Sequence, residues 1–498
     1  MAGGRPPRRG GAPAKPAFRL PPDGTVRKSQ VVRTHGPGAM IDLVDAAVMV
    51  GGLDFWHYLP ADAAAASVAD PRLRDRLAPR FADAGRQLAV EGCFRLPPTG
   101  DDKEPTRSSG IEVLEHPRWF VCQNPACRAL VRADGLEPKG KRYRHGCKRP
   151  GGAECVPVRF VATCRRGHVE EFPWVSFAHR NGKNCLAPSL KLLEGATGDF
   201  SEIVVECACG ERERLSTALA KESLPRCLGE RPWLGGAGND PAGCDDRLRL
   251  LVRSASNSYF GQEVSALSIP ERGRDLEAAV RKVWEMVKGA NATTLPVFRT
   301  IEAVQETLGT ATDDDVLATI DQIRLGGPTV REPLRTAEYR QLIGAPPERD
   351  GELPAASDFF FARTAEPLGG PIPGIARLVL LPKLREVRVQ IGFTRLEPVQ
   401  PDLEGEFDLA VQSAPLSLTQ GWLPATEVRG EGVFLELDAA AVWRWEMREE
   451  VRARERELLA GYRDWLATLK GDKAPPFPGI RFYLLHSLSH LLLSAISL

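Results

Sequence analysis

Ten of the eleven cysteines fall between residues 122 and 244, and Cys93 alone lies outside that stretch. Zinc takes four Cys or His ligands in a tetrahedron, commonly as two short-spaced pairs, each on its own turn. Cys122-Gln-Asn-Pro-Ala-Cys127 is one such pair, and Cys147 and Cys155, with Gly151-Gly152 between them, complete a first candidate site. Cys207-Ala-Cys209-Gly210 is a tighter pair, whose glycine frees the turn. Cys227 and Cys244 are placed to close this second site, with Cys185 or Cys164 as substitutes. A possible third set is Cys164, His168, His179 and Cys185, in which Cys164-Arg-Arg-Gly-His168 forms half a knuckle. The alternative is that His168 and His179 are ordinary polar residues. The spacing therefore predicts two structural zinc ions and allows a third. Sets dominated by thiolates favour closed structural sites over the open, His-rich catalytic kind.

Other chemistry is thinner. The sequence has no Gly-x4-Gly-Lys-Ser/Thr, since Gly182-Lys183 is followed by Asn184 and lacks the preceding glycine frame. A motor ATPase is not expected. Asp313, Asp314 and Asp315 read as a helix start on the positive end of the dipole, not as a metal box. His486 and His490 stand one turn apart, but Ser487 occupies the place of a metalloprotease glutamate, so buried, hydrogen-bonded histidines are expected. The formal net charge is +1, yet residues 128–166 carry eleven Lys/Arg against three acids. Lys139, Lys141, Arg142 and Arg144 are the candidates for nucleic-acid contact in that run. Arg253, followed by Ser-Ala-Ser-Asn-Ser-Tyr259-Phe260, either joins them or opens a buried strand. Gly36-Pro37-Gly38 is a turn that would let a phosphate approach or simply turn the chain.

These residues need a scaffold, and the composition supplies one. At 498 residues, with 43% hydrophobic and 26% charged, the chain has material for several packed cores and is not a disordered polymer. The Arg/Pro/Gly-rich start (Arg5, Pro6, Pro7, Arg8, Arg9) has no apolar signal core, and the longest apolar run, 484–498, is too short and polar to span a bilayer. A cytoplasmic setting without membrane contact is expected, and a reducing compartment fits metal ligation better than disulfides. The fold class predicted is mixed α+β and multidomain. Residues 1–27 form a basic disordered arm, 28–116 an N-terminal α/β region and 117–253 a zinc-ribbon-like Cys-rich region of short strands. A helical region follows over 254–350, then an α/β C-terminal domain over 351–498. Leu73, Leu77 and Phe81 mark a helix over 71–87, and Leu276, Val280, Val283 and Val287 another. Helices are expected over 313–324, 332–343 and 439–470, with strands over 376–381, 386–394, 409–412 and 432–437. The final helix stops without polar caps or a terminal glycine, as if inside a domain.

In their order along the chain, these segments resemble the B-protein family of the DISARM anti-phage system, which carries a helicase-associated C-terminal domain of unknown function. The resemblance runs through Ser29-Gln30, Gly36-Pro37-Gly38-Ala39, Gly52-Leu53-Asp54-Phe55-Trp56, Pro117-Arg118-Trp119-Phe120-Val121-Cys122 and Cys164 to His168 with Phe172-Pro173-Trp174. It continues through Cys207-x-Cys209-Gly210, Pro232-Trp233-Leu234-Gly235, Gly392-Phe393-Thr394-Arg395, Leu423-Pro424-Ala425-Thr426-Glu427 and His486 to His490. It implies a non-motor subunit that pairs with a superfamily 2 helicase, the A protein of the system, and helps it bind or load on DNA. It also implies that 351–498 is an incomplete helicase-associated domain, because relatives continue past the His-containing helix. The competing functions are a metal-dependent nuclease built on His168 and His179, and a scaffold without DNA contact.

Overall fold

The computed structural model describes residues 26–496 apart from 45, 84–85, 101–108, 141, 149, 181, 183–184, 196, 198, 241–242, 271, 310, 325–332, 356–358, 400–412, 420 and 469–475. The expected basic arm lies almost wholly outside the described residues, as do Lys141 and the strand expected over 409–412.

The Cys-rich stretch forms an antiparallel sheet of eight short strands. In spatial order they are Arg212–Arg214, Val204–Cys207, Leu190–Leu193, Ala129–Arg132, Trp119–Cys122, Ala153–Pro157, Arg142–His145 and Glu137–Lys139. Period-two alternation governs the faces: Leu190 and Leu192 are buried while Lys191 between them is exposed. A separate three-stranded sheet pairs Phe160–Thr163 with Val169–Glu171 on one side and Arg249–Val252 on the other. Both sheets pack on one core that includes Phe160, Phe172, Trp174, Leu192 and Val205.

A long hairpin dominates the remainder. Strand Ile375–Thr394 runs twenty residues and pairs with Leu423–Leu437 along one edge. Its other edge is shared between Phe260–Leu267 and Phe360–Ala365. The two strands expected on either side of Pro382 are one strand with a register shift between Leu381 and Leu384. Proline removes a ladder donor there without ending the strand. Phe94–Arg95 adds to Leu423–Leu437 in parallel. This sheet thus draws on residues 94–95, 260–267, 360–365, 375–394 and 423–437, across several of the sequence-based boundaries. The associated core extends from Val31 through Met49, Leu73, Trp233 and Phe393 to Ala425.

Helix Pro71–Asp83 is capped by Asp70, whose Oδ1 accepts the Leu73 amide at 2.9 Å, and it buries Leu73 and Leu77. The amphipathic pattern from Leu276 to Val287 is two helices, Arg272–Lys282 and Trp284–Val287, with Val283 leaving helical geometry between them. Val280, Val283 and Val287 nevertheless share a buried face with Val316 and Ile320 of helix Asp313–Arg324. The charged C-terminal run is split into Ala439–Glu446 and Glu449–Thr468, followed by Ile480–Ile496. His486 and His490 on this last helix are exposed, not buried as expected. Their rings lie edge to face at 4.6 Å, and their surroundings leave Leu491 and Leu493 in solvent as well. Among the described residues, no helix is long and apolar enough to cross a membrane.

Candidate metal centres

Eleven of the twelve residues selected from spacing, joined by His145, fall into three groups of four whose donor atoms lie within 4.8 Å of one another. The groups are Cys122, Cys127, His145 and Cys147; Cys164, His168, Cys227 and Cys244; and His179, Cys185, Cys207 and Cys209. Cys122 with Cys127, Cys164 with His168, and Cys207 with Cys209 stay together, whereas Cys147 and Cys155 part, and the pairs combine differently.

In the first group Cys122 ends strand Trp119–Cys122, and the chain turns back at once into strand Ala129–Arg132. The turn is a knuckle: Asn124 O accepts the amides of Cys127 (2.8 Å) and Arg128 (3.0 Å), and Arg128 takes a left-handed φ of 49°. Asn124 Nδ2 donates to Cys147 Sγ at 3.4 Å, and His145 Nδ1 lies 3.4 Å from Cys127 Sγ. Cys155 was the expected fourth ligand, and the structure replaces it with His145. Cys155 sits in mid-strand opposite Cys122, and its Sγ points to the Ala153 carbonyl at 3.8 Å. Burial pushes its thiol up to about 12. Position along the ladder separates the two: His145 ends strand Arg142–His145 at the turn that carries Cys147, whereas Cys155 lies further inside the ladder, paired with Tyr143 and Cys122. The signal for His145 was present in the sequence: His145-x-Cys147 has the same spacing as Cys207-x-Cys209.

The second group is fully buried. Cys164 and His168 flank the hairpin turn between Phe160–Thr163 and Val169–Glu171, where Gly167 at φ +82° donates to Cys164 O. His168 Nδ1 lies 3.4 Å from Cys164 Sγ and 3.5 Å from Cys227 Sγ, and Cys164 and Cys244 sulfurs are 4.0 Å apart. The expected companions of Cys164 and His168 were His179 and Cys185. Pairing of Arg249–Val252 with Phe160–Thr163 instead brings Cys244 alongside, and Cys227 follows through its amide bond to Asp246 O. Hydrogen bonding from Cys227, reinforced by His168, pulls the Cys164 thiol down to about 4, while Cys227 itself is pushed up by the same contact and by burial. A thiol lowered in this way more readily gives the thiolate that binds a metal.

In the third group, Leu190 pairs with Cys207, so the 185–190 segment lies against the Cys207-Ala-Cys209-Gly210 turn. Cys185 and Cys207 sulfurs are 3.9 Å apart. His179 Nε2 is 3.3 Å from Cys209 Sγ, and Nδ1 meets the Val175 carbonyl at 2.6 Å. With the proton on Nδ1, that bond orients the ring and leaves the Nε2 lone pair toward the sulfurs, the usual outer support of a metal-binding histidine. The same carbonyl is the main reason the His179 pKa is raised. Cys227 and Cys244, expected beside Cys207 and Cys209, belong to the second group instead.

The distances fit a zinc-sized tetrahedron. Zn–S near 2.3 Å and Zn–N near 2.0–2.1 Å give edges of about 3.8 Å between sulfurs and about 3.5 Å between sulfur and nitrogen. The sulfur–sulfur distances of 3.9 and 4.0 Å and the sulfur–nitrogen distances of 3.3–3.5 Å are close to those values. They are about twice the length of a disulfide. Each group has three thiols and one imidazole.

The residues selected for nucleic-acid contact fare differently. Lys139 is exposed on the edge strand Glu137–Lys139. Arg142 pairs with Glu154, and Arg144 donates to Gly151 O at 2.8 Å. Arg253 is a correction: its side chain is 11% exposed and pairs with Asp42 at 2.5 Å. It is drawn in because the following residues enter the half-buried strand Phe260–Leu267, with Tyr259 stacked on Phe393 at 4.8 Å. The Gly36-Pro37-Gly38 turn is likewise internal, its Gly38 carbonyl accepting from Arg395 at 2.6 Å.

Fold and site together define a mixed α/β protein with several sheets and three Cys₃His groups able to hold metal ions. A family model described as "Domain of unknown function (DUF8724)" matches residues 27–260, a span that contains all three groups. The chain is a distant homologue of the DISARM protein DrmB of Bacillus paralicheniformis, with 25% identity over 421 residues, covering 79% of this chain and 71% of that protein.

Proposed function

We propose that this chain is a zinc-stapled, non-motor component of a DISARM-type anti-phage system that works on DNA beside a superfamily 2 helicase. The observation that carries the proposal is the similarity to DrmB over 79% of the chain, together with three four-donor groups inside the matched segment. Residues 1–498 contain no P-loop, so ATP-driven movement is assigned to the partner.

A zinc ion bound by each group would supply a closed tetrahedral cross-link with no open coordination position. The protein's own residues determine what is linked. Cys122 and Cys127 tie one hairpin to the His145–Cys147 turn. Cys164 and His168 tie the small sheet to the 227–244 loops, and His179 and Cys185 tie the segment after helix Trp174–Ala178 to the edge of the eight-stranded sheet. A nuclease centred on His168 and His179 has little support, since the two histidines lie in different groups, each among three thiols.

Elemental analysis of the purified chain tests the stapling. Three zinc ions per chain are expected, with Cys127→Ser, Cys244→Ser and Cys209→Ser each losing about one. A zinc-free folded protein would refute it. For the defence role, the native locus with and without this gene is challenged with phage, and a tagged chain is used to recover the helicase. Unchanged plating with no helicase recovered would overturn that part.

A further inference from the structure

A cleft of about 720 Å³ lies between the first and third groups. Its walls are the knuckle and strand 124–132, the turn 145–148 and the segment 188–191. Every wall is fastened at a candidate ligand: Cys127 on the first, His145 and Cys147 on the second, and Cys185 just before the third. The charged groups lining it are Arg132, Lys148 and Lys191; among the described residues no carboxylate lines it. Lys148 and Lys191 are exposed, while Arg132 also faces Asp134 at 3.7 Å. Trp119, Asn124 and Ser189 supply an aromatic face and neutral hydrogen-bonding groups in the same cleft.

We propose that this cleft binds a short stretch of single-stranded nucleic acid, with phosphates on Arg132, Lys148 and Lys191 and a base against Trp119. The inference rests on the DNA-associated function proposed above and locates the contact. Convergent cations with an aromatic wall form the arrangement that takes an unpaired strand, because only there is a base free to leave its neighbours and stack on protein. A duplex keeps its bases stacked inside and presents a convex cylinder of phosphate, which a cleft of this size does not admit. Within the basic run 128–166, Arg142 and Arg144 are engaged within the protein, whereas Arg132 and Lys148 line the cleft and are joined there by Lys191 from strand Leu190–Leu193, outside the run.

The test is fluorescence anisotropy of the full chain with a labelled 20-mer of dT and with a 20-base-pair duplex, over a range of salt. The variants are Arg132→Ala/Lys148→Ala/Lys191→Ala together, the single charge reversal Lys191→Glu, and Lys221→Ala, an exposed lysine outside the cleft, as control. The expected result is binding of dT in preference to duplex, lost by roughly tenfold or more in the triple variant. Its log–log salt slope should be shallower by about 2, because each phosphate contact contributes about 0.7 on a single strand. Lys191→Glu should weaken binding in the same sense, and Lys221→Ala should not. Metal content equal to the parent's shows that the variants remain folded. Wild-type affinity and slope in a metal-replete triple variant would overturn the cleft while leaving a DNA role intact. Preferential duplex binding would overturn the single-strand assignment. Failure of the parent chain to bind either probe would overturn the cleft and the direct DNA contact together.

Discussion

Arg395 is the residue whose removal should be felt farthest. Its guanidinium is fully buried, yet its hydrogen-bond partners are three backbone carbonyls: Gly38 (2.6 Å), Ser258 (2.6 Å) and Gly167 (3.1 Å). It also lies over the rings of Phe393 and Trp233, at 4.9 and 5.7 Å. Burial lowers its pKa to about 10, and the attraction of Tyr259 and Cys164 opposes that shift. A divalent metal held by three thiolates and a neutral imidazole carries one net negative charge, so Arg395 would be the counter-charge of the buried second group. Arg395→Met leaves three carbonyls without donors, each worth about 1–3 kcal/mol, while removing the desolvation penalty of a buried cation. A net loss of about 3–5 kcal/mol follows, the range found when buried charged networks are broken. Arg395→Lys keeps the charge but not the fork, and should lose about half as much. A chain with several cores is not expected to unfold in one step, so the assay is local hydrogen exchange. The amides of Gly38, Gly167 and Ser258 are each hydrogen-bonded, at 2.8, 3.1 and 2.9 Å. In Arg395→Met they should exchange faster by roughly two to three orders of magnitude, provided local opening governs exchange. Unchanged exchange at all three amides would refute the reasoning.

Three further outcomes follow from the same geometry. His145→Ala should remove about one zinc per chain and Cys155→Ala none, read by elemental analysis; the reverse would return the fourth ligand to Cys155. Gly167→Ala forces an L-residue into φ +82° and places a Cβ 2.8 Å from that of Ala414, so a loss of about 2 kcal/mol or more and faster release of one metal are expected in urea titration with a zinc dye. His116 is held neutral, with a pKa lowered to about 3 by burial and by the charges of Arg395 and Arg253. The unfolded state therefore binds the extra proton between about pH 6.5 and 3, and the stability present above 6.5 is lost as pH falls. From pH 7.5 to 5 this amounts to about 2 kcal/mol, measured as the difference in unfolding free energy between the parent and His116→Gln. Glu171, 4.0 Å away with a raised pKa, acts in the opposite direction, and equal pH slopes in the two proteins would refute the assignment.

The sequence made the local half of each metal group legible, because a knuckle is short and declares itself by spacing. Cys122 with Cys127, Cys164 with His168, and Cys207 with Cys209 all remain together. Which pair meets which is decided by strand pairing, and spacing carries no record of it. Leu190 opposite Cys207 draws Cys185 and His179 to the third group, and Phe160–Thr163 beside Arg249–Val252 draws Cys244 to the second. The amphipathic helices were legible for the same local reason, as Leu73 and Leu77 illustrate. The internal place of Arg253 was not legible, because counting charges does not count their partners. Asp42, the partner of Arg253, stands more than two hundred residues away in sequence.

That long-range dependence extends to the matched segment itself. Residues 27–260 contain every candidate metal ligand and the core under the Cys-rich sheets, but the core around Phe94 and Trp233 is completed by residues beyond 260. Trp233 is fully buried against Phe393, and its indole nitrogen donates to Pro415 O at 2.9 Å. The Leu53 amide bonds to Leu416 O, and strand Phe94–Arg95 has Leu423–Leu437 as its neighbour. Removing residues 375–437 would expose these apolar groups, and burying a side chain of that size contributes about 1.5–3 kcal/mol. The metal groups can hold their own turns together locally, but they cannot replace an absent apolar face. Arg395, reaching from the end of the long strand to the Cys164–His168 turn, joins the two parts at the point where one supplies the metal ligands and the other completes the core around Trp233.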